Sequence, residues 1–470
     1  MVFISAVFLF WFLPLVFVLS RLPGLKRHQN VLLAAASLLF YAFGNLNYIP
    51  LFLLSVLINY TAGRLLGGRY RRNRAVLAAA VVLNVGILCF YKYTDFLIAN
   101  LNYIPGVSLR PLGLVLPIGI SFFTFQGMSY TIDVYRRPEE SSPSFLKLLL
   151  YISFFPQLIA GPIVRWCDFS DQIDHRICTP AGTSAGIRRF IVGLSKKLLF
   201  ADTAAAVADA VFSSGSGDAR LAWLGGICYM LQIYYDFSGY SDMAIGMGRM
   251  FGFRLKENFL FPYTAGSIRD FWKKWHISLS TWFREYLYIP LGGNRRGKAR
   301  AAWNRLLVFF LTGLWHGANW TFILWGLGHG LLSDLEGSGI IPAERMKKSL
   351  PGRLLGRVYT LLAVMLLFTM FRAETVTQGL AMWACMFRFH TDTAGSLLLA
   401  KLSTPDASVV LVAAWLLALS DGGRRIHAFL TKERTAEPEF LPDLCCLLLF
   451  ALSVMALAQS GFHPFIYFQF

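Results

Sequence analysis

Long uncharged apolar runs, separated by short clusters of lysine and arginine, constrain this chain more than any single motif. Residues 2–20, 75–90, 358–371 and 444–458 are such runs, and Arg64, Arg69, Arg71, Arg72 and Arg74 form one of the clusters between them. A bilayer core takes about 20 apolar residues per helix, so a chain of this length holds roughly a dozen spans with short connections. Hydrophobic side chains make up 56% of the 470 residues and charged ones 15%, with a mean hydropathy of +0.53, which is too apolar for a soluble fold. The formal net charge of +18 does not indicate nucleic-acid binding, because the cations punctuate apolar segments instead of covering a polar surface. The expectation is an all-α polytopic membrane protein, organised as one domain over 1–470 with N-terminal spans in 1–110, a core in 111–340 and C-terminal spans in 341–470.

Charge also sets the expected topology, since cytoplasmic loops carry the lysine and arginine excess. Arg21, Lys26 and Arg27 follow the first run, which places the N-terminus outside. That run has no basic residues ahead of it and no small-residue cleavage site after it, so it reads as a retained span and not a signal peptide. Two short spans, 31–43 and 51–62, turn at Gly44-Asn45-Leu46-Asn47, and a span over 112–130 returns to Arg136 and Arg137. The last run leads out again, so both termini are expected outside. Between 145 and 263 the apolar stretches are broken by Pro156, Gly161, Pro162, Asp202, Asp236, Ser238, Ser241 and Asp242. Polar or non-helical backbone at membrane depth survives only inside protein or along a wet cavity, so these segments are expected to line something, with Asp236 and Asp242 read as structural.

The strongest local signal lies further on. Residues 292–305 carry Arg295, Arg296, Lys298, Arg300 and Arg305 without an acid, and 345–357 is basic again. Both ends of 306–335 then lie on the cytosolic side, so the segment goes in and returns as two arms of about 22 Å, short of the roughly 30 Å core. The bend falls near His316-Gly317-Ala318-Asn319, which puts an imidazole part-way through the membrane. Intramembrane ionisable groups are costly and are functional candidates by default.

Of the eight histidines, His28, His175, His390, His427 and His463 read as surface or interface residues. His276 lies in a stretch from Arg269 to Tyr286 that, taken as one helix, places Phe271, Trp275, Trp282 and Tyr286 on one face and supplies Arg269, Lys273, Lys274 and Arg284 as cations. That pattern suits an amphipathic helix at the cytosolic interface whose basic residues attract a polyanion. His329 and Asp334 match an H-x4-D acyltransferase pattern, two common residue types at one spacing that chance supplies easily. The seven cysteines show no C-x-x-C pair and read as small buried hydrophobes, and no nucleophile elbow, phosphate loop, zinc-protease or dinucleotide motif is present.

Several blocks together resemble the membrane-bound O-acyltransferase family, in particular its bacterial alginate O-acetyltransferase membrane-subunit branch. They are Leu116-Pro117-Ile118-Gly119-Ile120-Ser121-Phe122, the stretch 154–162, Tyr235-Asp236-Phe237-Ser238-Gly239-Tyr240-Ser241-Asp242, Trp275-His276-Ile277-Ser278-Leu279-Ser280-Thr281-Trp282, Trp315-His316-Gly317-Ala318-Asn319 and the ending 464–470. The resemblance implies about 10 to 13 membrane helices and re-entrant segments around a central funnel or tunnel in a bacterial inner membrane. It implies His316 as the catalytic histidine and His276 as the second histidine or polar partner of the other motif block. No block of the family is found between Arg372 and the ending, where acceptor specificity is expected to lie. The family's cofactor pattern is no tightly bound group, with acetyl-CoA as donor substrate. Its partners are an extracytoplasmic SGNH-type acetyltransferase and a polysaccharide acceptor, with a cytosolic acyl carrier as the donor in a related system and no nucleic acid.

With that resemblance, the expected reaction is acyl transfer across the bilayer. His316 takes a hydroxyl proton, His276 or Asn319 orients groups or stabilises an oxyanion, and Trp315, Asp270 and Trp275 support the tunnel. Lys273, Lys274 and the loop from Arg295 and Arg296 to Arg305 attract the donor phosphates. The alternatives are D-alanyl transfer to teichoic acid from a carrier protein, a transporter or flippase, and a structural subunit of an exopolysaccharide machine.

Overall fold

The computed structural model describes all residues except 143, 160, 434–438, 461–464 and 467–470. Ala160, Arg434, His463, Pro464 and the end of the last block, singled out in the sequence, therefore lie outside the described residues. Every regular element among the described residues is helical, as the apolar runs dictate. Packing divides the chain into two compact units.

The first unit comprises Met1–Phe190, Met243–Lys256 and Glu433–Ala436. Its helices are α1 (Leu13–Arg21), α2 (Gln29–Asn45), α3 (Ile49–Gly67), α4 (Arg74–Leu101), α5 (Ile120–Arg136), α6 (Phe145–Ser153), α7 (Phe155–Leu158), α8 (Trp166–His175) and most of α9 (Pro180–Ser195). A single 3-10 turn, Leu46–Tyr48, joins α2 to α3 at the expected polar break. The core holds an aromatic cluster in which Phe155 meets Phe12 at 5.4 Å and Phe40 at 5.8 Å between ring centres. Asn59 and Asn84 exchange side-chain hydrogen bonds of 2.9 and 3.1 Å, and the Thr131 hydroxyl donates to Asn59 at 2.8 Å. These bonds tie α3, α4 and α5 together and satisfy polar groups where no water competes.

The span expected over 112–130 takes a different form. Gly113 (φ +62°) and Gly119 (φ +77°) hold left-handed backbone around Pro117, so the chain is irregular until α5 begins at Ile120. Left-handed positions suit glycine, which has no Cβ to clash, and proline cannot donate to a helical ladder.

The second unit comprises Ile191–Asp242, Glu257–Lys432 and Glu437–Phe470. It contains α10 (Asp202–Ser214), the part of α11 (Ala219–Met250) up to Asp242, α12 (Ile268–Lys274), α13 (Ile277–Phe283), α14 (Lys298–His316), α15 (Trp320–Ser338), α16 (Ala343–Met346), α17 (Leu350–Arg372), α18 (Val376–Arg388), α19 (Thr393–Leu402), α20 (Pro405–Leu419), α21 (Asp421–Thr431) and α22 (Phe440–Ser460). The aspartates that interrupted the sequence here are neutralised by two lysines. Lys197, in a π turn at Lys196–Ala201, reaches Asp202 at 2.7 Å and Asp236 at 2.9 Å, and Lys196 reaches Asp242 at 2.6 Å. All three aspartates are buried. A buried charge persists only with such partners, so these ion pairs account for Asp236 and Asp242 as structural groups.

α14 and α15 form the helical hairpin expected from 306–335, with the bend at Gly317–Asn319. Each arm has 19 residues, about 28 Å at the usual helical rise, because the basic residues from Lys298 onward and those down to Ser338 are helical too. The arms meet at glycines: a Cβ on Gly313 would stand 2.4 Å from the Phe322 carbonyl oxygen, and one on Gly326 would stand 2.3 Å from that of Phe309.

Among the described residues four helical stretches are long and apolar enough to cross a bilayer unaided: Pro23–Gly67, Arg74–Leu101, Leu350–Arg372 and Phe440–Gln459. The bent pair α19 and α20, 78° apart, makes a fifth if counted as one span. The other apolar runs appear as shorter or broken helices. All seven cysteines are free, and Cys228 and Cys446 are buried as expected. Cys89 and Cys167 are exposed instead, Cys89 on the outer face of α4, where a small apolar thiol suits lipid as well as it suits a core.

Candidate active site

The expected single helix from Arg269 to Tyr286 is broken in two. α12 starts at Ser267, whose hydroxyl accepts the Asp270 amide at 3.1 Å, and a second cap comes from α15. The buried Glu336 carboxylate accepts the amides of Ile268 at 2.6 Å and Arg269 at 3.0 Å. α12 ends at Trp275, and His276 takes a left-handed conformation (φ +44°, ψ +53°) before α13 begins. Such backbone in a non-glycine residue costs about 1–3 kcal/mol and persists only where surroundings hold it. Asn258 supplies that hold. Its carbonyl accepts the Ile277 amide at 3.0 Å, while its side-chain Oδ1 accepts the Ser278 amide at 3.1 Å and hydroxyl at 2.9 Å. The break removes Phe271 and Trp275 from an interfacial face: both are buried, and Trp275 stacks on Phe271 at 5.4 Å.

His276 is fully buried, edge-on to Phe237 at 4.6 Å, with Nδ1 3.2 Å from Asn258 Oδ1. The amide group of Asn258 donates to Ser241 at 3.0 Å, so its Oδ1 is an acceptor and His276 Nδ1 carries the proton. Nε2 is then the lone-pair nitrogen.

His316 ends α14 and is 4% exposed. Its ring lies 5.0 Å from Trp315, 5.0 Å from Trp325 and 5.3 Å from Phe371. Gly317 behind it has no room for a side chain, since a Cβ there would stand 2.1 Å from the Phe322 ring. Trp315 also lies 6.0 Å from His276. The two histidines, forty residues apart in sequence, thus both meet one indole.

The remaining expected residues have identifiable roles. Asn319 caps α15 through Oδ1, which accepts the Thr321 amide at 3.2 Å, and its Nδ2 donates to the Glu374 carbonyl at 2.9 Å. Asp270 pairs with Lys274 at 2.9 Å. Lys273, Arg295 and Arg296 are exposed. A cavity of about 290 Å³ is lined by the cations Arg269, Arg284 and Arg305 together with Trp272, Phe283, Tyr288 and Phe309. Asn258 and Glu336 had no sequence signal, because each acts through contacts made across the fold.

The profile of the membrane-bound O-acyltransferase family matches residues 34–371, which contain both histidines. The chain belongs to this family. It is therefore an O-acyltransferase of the membrane-bound class. The acyltransferase is 39% identical to the probable alginate O-acetylase AlgI of Azotobacter vinelandii, over the full length of both chains. A peptidoglycan O-acetyltransferase of Helicobacter pylori is 36% identical over 81% of this chain and 78% of its own. A teichoic acid D-alanyltransferase of Bacillus subtilis is 28% identical over 55% of this chain and 67% of its own.

Proposed function

We propose that this acyltransferase moves acetyl from cytosolic acetyl-CoA to a hydroxyl acceptor on the outer face of a bacterial inner membrane, with His316 as general base. The acceptor is a cell-surface polysaccharide, reached directly or through an extracytoplasmic SGNH-type partner, and both termini face outward. The observation that supports this reading is the pair of buried histidines that both meet Trp315, with His316 at the bend of a helical hairpin. The names of the relatives, an alginate O-acetylase and a peptidoglycan O-acetyltransferase, favour acetyl and a surface glycan.

In the proposed step the acceptor oxygen attacks the thioester carbonyl as His316 takes its proton. The carbon–sulfur bond then breaks, and the proton passes to the leaving thiolate. A positioned base of this kind contributes about 10²- to 10⁴-fold. His276 presents a lone pair at Nε2, so it orients a substrate O–H or N–H, since a lone pair repels an oxyanion. Asn319 keeps the bend closed, its side chain being used by the α15 cap and the Glu374 carbonyl.

Purified protein in proteoliposomes, given radiolabelled acetyl-CoA and candidate acceptors or SGNH partners, tests this directly. Label reaching an acceptor with wild type and not with His316→Ala is expected. Equal labelling by the two removes His316 as base, and label delivered only from an acyl carrier protein reassigns the donor.

A further inference from the structure

A second cavity, of about 470 Å³, opens between α12, the 3-10 turn Pro262–Thr264 before it, α16 and α17, and it shares no lining residue with the cavity described above. Its walls are set by close backbone approaches. Ser349 caps α17 by accepting the Gly352 amide at 3.1 Å, which turns the chain sharply out of α16. Gly356 lets α17 rest on the loop before α12, since a Cβ there would stand 2.7 Å from the Gly266 carbonyl oxygen. One wall is polar. Thr264 and Asp270 line it, and Lys274 donates to them at 3.3 and 2.9 Å, so the carboxylate on this wall is neutralised where it stands.

The other wall is the first two turns of α17, and its residues are of two kinds. Arg353 and Arg357, one turn apart, line the cavity beside Leu350 and Leu354. Lys347 lines it too and pairs with Glu344 at 2.6 Å. Neither arginine pairs with a carboxylate among the described residues. From the cavity an apolar stripe continues along the helix: Leu350, Leu354, Val358 and Leu362 follow at four-residue steps and all are exposed. That is a run of about 18 Å at the usual helical rise. α17 is one of the helices long and apolar enough to cross a bilayer, so the stripe meets hydrocarbon and the cavity sits where the span begins. An occupant that satisfies both kinds of residue has an anionic head and an apolar tail. Guanidinium groups hold phosphate oxygens in a forked geometry, and a basic pocket beside a membrane helix suits the head of an anionic lipid. A free phosphate or nucleotide would use the arginines and leave the leucines bare.

We propose that this cavity binds one anionic phospholipid, with Arg353 and Arg357 on its phosphate and an acyl chain along Leu354, Val358 and Leu362. The lipid fills the gap between α12 and α17. The assignment stands on α17 as a membrane span and is independent of the acyl donor, the acceptor and the role of His316.

The test is native mass spectrometry of the full-length protein in detergent, titrated with dioleoyl phosphatidylglycerol, dioleoyl phosphatidylcholine or glycerol 3-phosphate. Wild type is expected to retain a first phosphatidylglycerol about tenfold more tightly than phosphatidylcholine, and not to retain glycerol 3-phosphate, which has the head without the chains. Arg353→Gln with Arg357→Gln should weaken phosphatidylglycerol about tenfold. Neither arginine holds a carboxylate in the fold, so this variant is expected to fold. Arg353→Lys with Arg357→Lys, which keeps the charge and loses the fork, should recover part of the loss. Arg345→Gln with Lys348→Gln removes the same charge from exposed positions outside the cavity and should leave binding unchanged. Equal retention of the two lipids overturns the proposal, as does unchanged binding in the Arg353 and Arg357 variant. An equal loss in the Arg345 and Lys348 variant also overturns it, by reducing the effect to the charge of the whole segment. Glycerol 3-phosphate held as tightly as the lipid makes the ligand a free phosphate, and acetyl-CoA displacing the lipid makes it a nucleotide; either result removes the lipid from this site.

Discussion

Asn258 and His276 form one hydrogen-bonded unit, with the imidazole Nδ1 3.2 Å from an amide oxygen that also accepts both polar hydrogens of Ser278. One side chain thereby fixes the ring's tautomer and helps hold the left-handed backbone that breaks α12 from α13. Replacing Asn258 by Ala leaves the Ser278 amide buried without its acceptor, at a cost of about 1–3 kcal/mol. The expected outcome is a lower melting temperature in detergent and acetyl transfer reduced by roughly 10- to 10³-fold, up to the loss of a general base. Transfer at the wild-type rate would show that the tautomer of His276 is immaterial.

His316→Ala should reduce transfer by about 10²-fold or more while the protein still inserts and remains monodisperse, because the ring packs at a helix end against Trp315, Trp325 and Phe371 and is not an element of a hydrogen-bonded ladder. Single-turnover acetylation measured beside size-exclusion profiles separates loss of chemistry from loss of fold. A comparable fall in both assigns His316 to packing.

The carboxylate of Glu336 serves two amides at the start of α12, and a single amide oxygen cannot replace both acceptors. Glu336→Gln should cost about 1 kcal/mol and Glu336→Ala more, up to about 3 kcal/mol, through orphaned donors and the lost interaction with the helix N-terminus. Thermal unfolding of the two variants checks the order Ala below Gln below wild type. The reverse order, or no difference, contradicts this account of the cap.

At Gly326 the obstacle to a methyl group is backbone, the Phe309 carbonyl oxygen, which cannot rotate away. Gly326→Ala should therefore force the hairpin arms apart, costing about 1–3 kcal/mol and lowering transfer together with stability. Gly330→Ala meets only the Leu306 and Phe309 side chains at 3.1 Å and is expected to be milder. Paired melting curves and activity assays compare the two, and equal effects would remove the backbone contact as the cause.

Some of the site was legible because it depends on neighbours in the chain. Glycines beside His316 and basic clusters at both ends of 306–335 require a turn near His316, and the structure has it at Gly317–Asn319. The helix drawn through His276 was not legible in the same way. Local periodicity favours continuing from Arg269 to Tyr286, and only the hydrogen bonds from Asn258, brought in from a segment without regular structure, outweigh it. The cations illustrate the same limit: charge density marks Arg269, Lys273, Lys274, Arg284 and the loop from Arg295 to Arg305 alike, and only the packing of α12, α13 and α14 places Arg269, Arg284 and Arg305 on one cavity wall.

By itself the sequence determined the solvent: apolar runs of this length and spacing exclude a water-soluble fold, since hydrocarbon admits backbone only when its polar groups are bonded internally. It also determined the helical class and, through multi-residue blocks, the family. The tertiary structure alone decided which buried polar atoms share a space. His276 and His316 both meet Trp315, and His329, Trp272 and Trp325 pack against one another, because helices distant in sequence pack side by side. The physical reason is range: transfer into lipid is a sum over neighbouring residues, whereas a hydrogen bond or a ring contact exists only at a few ångströms, a distance fixed by the whole fold.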